Sequence, residues 1–121
     1  MIRKFGCLCG LAAVLVGCAS SPHSATRTAY NAYWDCTSQA VRPYTMRVDL
    51  DAREAAMRAQ AHCNNSYQRF RASKIKEVRS KVERDNYKMA DQLGAQQALV
   101  WRQRVTRRLD HYVRDQRAEA L

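Results

Sequence analysis

The sequence predicts an all-α fold: an elongated helical hairpin or small open bundle, in which one short N-terminal helix is disulfide-linked to a long helix that bends or breaks near Gly94. Three observations predict it. From Asp51 to the C-terminus, 71 residues contain no proline and a single glycine, Gly94. Apolar residues along that stretch recur at three- and four-residue steps, the period of a helix with one buried face. Finally, Leu, Ile, Val and Phe account for only 14 of the 103 residues from Ala19 onward. A charged chain with so few strong apolar residues builds a thin core, which suits an extended helical packing better than a thick globule.

The N-terminus has a separate logic. Arg3 and Lys4 form a positive start, and Phe5 to Val16 is apolar but shorter than the roughly 20 residues that span a bilayer as a helix. The run ends in Leu15-Val16-Gly17-Cys18, which resembles the lipobox of bacterial lipoproteins. The resemblance covers about the first twenty residues and implies a division of the chain: 1–17 as a removed signal peptide, 18–27 as a lipidated tether, and 28–121 as one helical domain. It also implies the chemistry at Cys18, a diacylglyceryl thioether on sulfur and an acyl chain on the freed amine. Two or three chains suffice for stable anchoring. Ala19, where aspartate would signal retention on the inner membrane, resembles the outer-membrane pattern, with the domain facing the periplasm.

Cysteine usage fits an exported protein. Cys7 and Cys9 leave with the signal and Cys18 carries lipid, so Cys36 and Cys63 remain as one pair. In an oxidising compartment such a pair is expected as a disulfide. Metal binding is the rival, but His23, His62 and His111 share no ligand spacing with the two thiols. No metal and no cofactor beyond the attached lipid are expected.

The elements follow in order. Residues 18–27, rich in Ala, Ser and Thr with one proline, are expected as a flexible tether. Tyr30, Tyr33, Trp34, Thr37, Ala40 and Val41 predict a first helix from about Thr28 to Val41, with Cys36 at the border of its apolar face. Pro43 biases Arg42 away from helix and ends it. Residues 42–50 then form the turn, and Asp49 or Asp51 caps the next helix, with Glu54 completing a capping box after Asp51. The Cys36–Cys63 spacing fits an antiparallel pairing of the first helix with the start of the second. Beyond it, Ile75, Val78, Val82, Met89 and Leu93 lie on one side of a continuous helix, and Ala98, Trp101, Val105, Leu109 and Tyr112 on another, some 140° to 150° away. A straight helix cannot turn both stripes toward one partner, so a bend, a break or a change of partner is expected near Gly94.

Charge is unevenly placed. Without Arg3 and Lys4 the chain carries 19 basic residues against 11 acids, a net +8. Residues 28–67 are neutral overall, 68–88 carry +5 and 102–117 carry +4. Arg69, Arg71, Lys74, Arg102, Arg104, Arg107 and Arg108 are the candidate polyanion-binding residues. Basic helices with interleaved aromatics would suit nucleic acid, but an envelope compartment offers anionic lipid headgroups and peptidoglycan carboxylates instead. A solvated helix face, balanced by pairs such as Glu77 with Lys81 and Asp110 with Arg114, accounts for the same charges.

Catalytic patterns are absent: there is no nucleophile elbow, phosphate loop or H-E-x-x-H. His111, Trp34 and Trp101 fit structural positions on helical stripes. The sequence therefore points to a non-enzymatic lipoprotein acting through contact with a membrane, an envelope polymer or another envelope protein. A pilotin-like assembly factor, or an inhibitor or immunity lipoprotein, are the alternatives.

Overall fold

The computed structural model describes residues 21–121; the signal and lipobox expectations for residues 1–18 lie outside them. Four α-helices pack side by side and end to end, joined by turns, and the described residues contain no strand.

Helix α1 runs Pro22–Ala40. It starts earlier than the expected tether allowed, because Ser21 accepts a hydrogen bond from the Ser24 amide (3.2 Å) and proline occupies the first turn, where a missing N–H costs nothing. Tertiary contacts hold these early residues: the buried Thr26 hydroxyl donates to the Ser73 carbonyl at 3.1 Å. Helix α2, Ala52–His62, opens with half of the expected box, the Asp51 carboxylate accepting from the Glu54 amide at 2.7 Å, while the Glu54 carboxylate pairs with Arg58 at 3.4 Å. Asp49 instead pairs with Arg47. Helix α3, Asn64–Arg79, follows after an interruption at Cys63 alone. A turn with a 3₁₀ segment at Arg84–Asn86 then leads into helix α4, Tyr87–Glu119, whose 33 residues extend about 50 Å.

The pairings fix the topology. Helix α1 lies antiparallel to α3: Thr26 meets Ser73, Tyr33 meets Tyr67, and Cys36 meets Cys63 in a disulfide. Because α3 rather than α2 is the main partner of α1, the disulfide closes the α2–α3 junction against the last turns of α1. Helices α2 and α3 lie end to end along α4 and antiparallel to it. Arg79 pairs with Asp91 at one end, the buried Gln60 amide reaches the Arg102 carbonyl (3.3 Å) and the Thr106 hydroxyl (3.2 Å) midway, and Arg117 donates to the Thr45 carbonyl (2.8 Å) at the other. Thus residues 51–117 do not form one rod; they fold back at 80–86.

Gly94 lies inside unbroken helix, so the expected break is not there. Its role is close approach: a Cβ at Gly94 would sit 2.7 Å from the Ile75 Cα, where only glycine admits the crossing of α3 over α4. The partner does change along α4, from α3 beside Ala90, Gly94 and Ala98 to α2 beside Thr106 and beyond. The stripe expected to continue through Met89 and Leu93 is corrected for the same reason: both are exposed, while Ala90, Gly94 and Ala98 are buried. Alanines dominate the rest of the interior too, with Ala52, Ala55, Ala56 and Ala59 buried on α2 beneath Tyr33, Phe70, Val105, Leu109 and Val113. Small side chains let the helices approach closely, and dispersion contacts between them compensate for a thin core.

Candidate functional site

The parallel pair α1 and α4 touch only along a shallow groove. On α1, Arg27, Tyr30, Trp34 and Ser38 recur on one face at three- and four-residue steps, with Arg42 just past the helix end. On α4, Trp101, Arg104, Arg108 and Tyr112 do the same. The two faces interleave. Tyr30 meets Trp101 edge-on (centroids 5.2 Å), the Arg104 guanidinium lies 4.8 Å from the Trp101 ring, and that of Arg108 lies 4.0 Å from the Trp34 ring. Each is a cation–π contact worth about 0.5–2 kcal/mol. Such stacking orders a guanidinium without neutralising it.

Two hollows open along this groove. One, of 250 Å³, is walled by Trp34, Ser38, Arg42, Arg108, Leu109 and Tyr112. The other, of 260 Å³, lies nearer the start of α1, with Arg27, Tyr30, Phe70, Glu77 and Trp101 in its wall. Their electrostatics differ. Glu77 is almost fully buried, and Lys74 (3.4 Å), His23 (3.3 Å) and Lys81 (3.7 Å) surround it. Burial alone would raise its pKa, but the Thr26 hydroxyl, the His23 ring and the Lys74 ammonium outweigh burial and hold the carboxyl below its ordinary value. The first hollow has no carboxylate in its wall.

The seven candidate polyanion-binding residues do not form one patch. Arg69 is exposed on α3 beside Ser66, Arg71 lies on α3 near Arg79 and Asp91, and Lys74 is committed to Glu77. Arg102 stacks 4.9 Å from the Tyr67 ring, and Arg107 faces a hollow between α2 and α4 with Arg53. Of the seven, Arg104 and Arg108 face the groove, and Lys74 lines its second hollow while engaged with Glu77. Arg27 and Arg42, which the charge count did not single out, join them there. Helical spacing along α1 carried that signal, but the spacing could not say that α4 would lie opposite. Trp34 and Trp101 are half-buried, pack against the core and each also lies under an arginine, and His111 is exposed.

Among the described residues Arg42, Arg102, Arg104, Arg107 and Arg108 belong to no ion pair. By contrast Glu77–Lys81 and Asp110–Arg114 (2.8 Å) do pair as their spacing predicts. No three His, Cys, Asp or Glu side chains of the described residues gather to hold a metal ion, and no described helix is long and apolar enough to cross a membrane.

No family model, curated protein or solved structure matches the chain.

Proposed function

We propose that the chain is a lipid-anchored, periplasm-facing protein of the Gram-negative outer membrane, without a catalytic role, whose α1–α4 groove holds the peptidoglycan polymer through its carboxylates. The observation that carries this reading is the distribution of charge on α4. Residues 92–109 contain no Asp or Glu and four arginines, none of them ion-paired among the described residues, and two of these, Arg104 and Arg108, face the groove. Arginine forks match carboxylates bidentately, and aromatic faces beside them suit the C–H faces of sugar rings. An extended groove favours a polymer over a single lipid headgroup. A pilotin-like role calls instead for an apolar cleft that seats a partner helix, and arginines line this one.

The test is cosedimentation of the full chain, kept in nonionic detergent, with purified peptidoglycan across a salt series. Binding at low salt that fades as the Debye length shrinks to about 8 Å at physiological ionic strength, and that drops on replacing Arg27, Arg42, Arg104 and Arg108 by glutamine, supports the reading. No cosedimentation at low salt, or unchanged cosedimentation of the quadruple variant, overturns it. Addition of phosphatidylglycerol to the micelles serves as the competing arm: complete release of the chain from peptidoglycan would transfer the groove to headgroups.

A further inference from the structure

We propose that the 250 Å³ hollow at Trp34 is a binding site for a single carboxylate-bearing sugar ring, the form muramic acid takes in glycan strands that have lost their stem peptides, since elsewhere in the polymer that carboxyl is bound up as an amide. The inference rests on the groove reading above and names which part of the groove reads the ligand and what it reads.

Size restricts the ligand first. The hollow is smaller than the roughly 300 Å³ at which drug-sized pockets begin, so it accommodates one ring with its substituent rather than a disaccharide. Charge selects next. Two guanidiniums, from Arg42 just past α1 and Arg108 on α4, line the hollow, and neither has a carboxylate partner among the described residues. The stack on Trp34 holds Arg108 in place, which reduces the side-chain entropy lost when an anion binds. Arg42, one residue past the α1 cap, lines the same hollow. A carboxylate between them accepts from both forks.

The remaining wall suits the ring that carries the carboxylate. The half-buried Trp34 ring gives an apolar surface for C–H groups. The Ser38 hydroxyl donates to the Asp35 carbonyl at 3.2 Å, which leaves its oxygen free to accept from a sugar hydroxyl, and Tyr112 supplies a second hydroxyl. The neighbouring hollow offers an anion less, because Glu77 in its wall already engages Lys74 and leaves Arg27 as its one guanidinium. A phosphate shares the oxyanion chemistry, so the experiment has to separate the two.

The experiment follows the two indole N–H resonances of the full chain in nonionic detergent, assigned with Trp101→Phe. N-acetylmuramic acid is titrated in, beside N-acetylglucosamine as the uncharged ring and glycerol phosphate as the ringless anion. The Trp34 resonance shifts saturably with N-acetylmuramic acid, with a Kd in about the millimolar range expected of a single small ring. It does not respond to N-acetylglucosamine and responds at least about tenfold more weakly to glycerol phosphate. Arg42→Gln with Arg108→Gln abolishes the shift, whereas Arg53→Gln with Arg107→Gln, on the other side of α4, leaves it intact. An equal response to the neutral sugar, no response to the acid, or a response that survives loss of Arg42 and Arg108 overturns the site. A glycerol phosphate response as strong as that of the acid overturns the ligand class. If peptidoglycan cosedimentation persists in any of these cases, the groove reading stands and only this site is wrong. If the shift occurs while cosedimentation fails, the site is right and the polymer reading falls.

Discussion

Replacing Gly94 by alanine separates two opposed effects, and their sum has a definite sign. In an exposed helix interior the change would stabilise by about 1 kcal/mol, because alanine loses less backbone entropy. Here the added Cβ would lie 2.7 Å from the Ile75 Cα and 3.0 Å from the Ile75 amide nitrogen, against 3.4–4 Å for ordinary contact. The obstacle is backbone, so relief requires α3 and α4 to separate by several tenths of an ångström along a seam of alanines. Overpacking of this kind costs about 1–3 kcal/mol. Taking the middle of that range, the net loss is about 1 kcal/mol, which lowers Tm by about 4–8 °C for a domain of this size. Gly94→Val adds two methyls and a stiff β-branch at the same place, and lowers Tm further. Thermal unfolding followed by far-ultraviolet circular dichroism gives both shifts. A Gly94→Ala protein with raised Tm would mean that the α3–α4 crossing is looser than described, and that the glycine serves no close approach.

Other expectations follow from single contacts. The Cys36–Cys63 disulfide spans 27 residues of sequence, so its loss in a double alanine variant is expected to cost about 3.5 kcal/mol in the chain-entropy model; denaturant midpoints with and without reductant measure it, and coincident curves would refute it. Tyr33→Phe removes the hydroxyl that donates to Gln60 and leaves the buried Gln60 oxygen unpartnered, a loss of about 1–3 kcal/mol that urea unfolding detects. Glu77 ionises more readily in the folded protein than in the unfolded chain, so its contribution is complete above the ordinary carboxyl value of 4.5 and is lost as pH falls through that value and below. Glu77→Gln should accordingly flatten the acid limb of a plot of stability against pH, and an unchanged limb would exclude Glu77 as its source.

Much of the fold was legible because its signals are local. The Asp51 cap on α2, the end of α1 ahead of Pro43 and the Cys36–Cys63 pair each follow from residue type and spacing, and the structure contains all three. The early start of α1 was missed because Ser21 and Pro22 read as tether, although together they also make a helix start. The turn at 80–86 was missed because it holds neither glycine nor proline. Its signals are weaker: the Ser80 hydroxyl bonds back to the Glu77 carbonyl at 2.6 Å, and Asp85 and Asn86 favour local turns. What stabilises the fold-back is tertiary, the packing of Ala90 and Gly94 against α3. Large apolar residues dominate a periodicity count, so Met89 and Leu93 outweighed the small residues that α4 actually buries. The groove was half legible. Each helix carries its aromatic and arginine spacing openly, but which faces meet depends on the fold-back, and Trp34 and Arg108 are brought together across 74 residues of sequence.

The assignment of the groove to an envelope ligand depends on compartment, since the same arginines and aromatics in a cytoplasmic protein would be read as a nucleic-acid surface. The most direct measurement is therefore the intact mass and N-terminal peptide of the chain isolated from membranes. The account predicts a chain that begins at Cys18 and carries a diacylglyceryl group on sulfur with an acyl chain on the amine, and a Cys18→Ser chain that carries no lipid and leaves the membrane fraction. A chain that retains Met1, one that begins after Cys18, or one whose Cys18 is an unmodified thiol would contradict it.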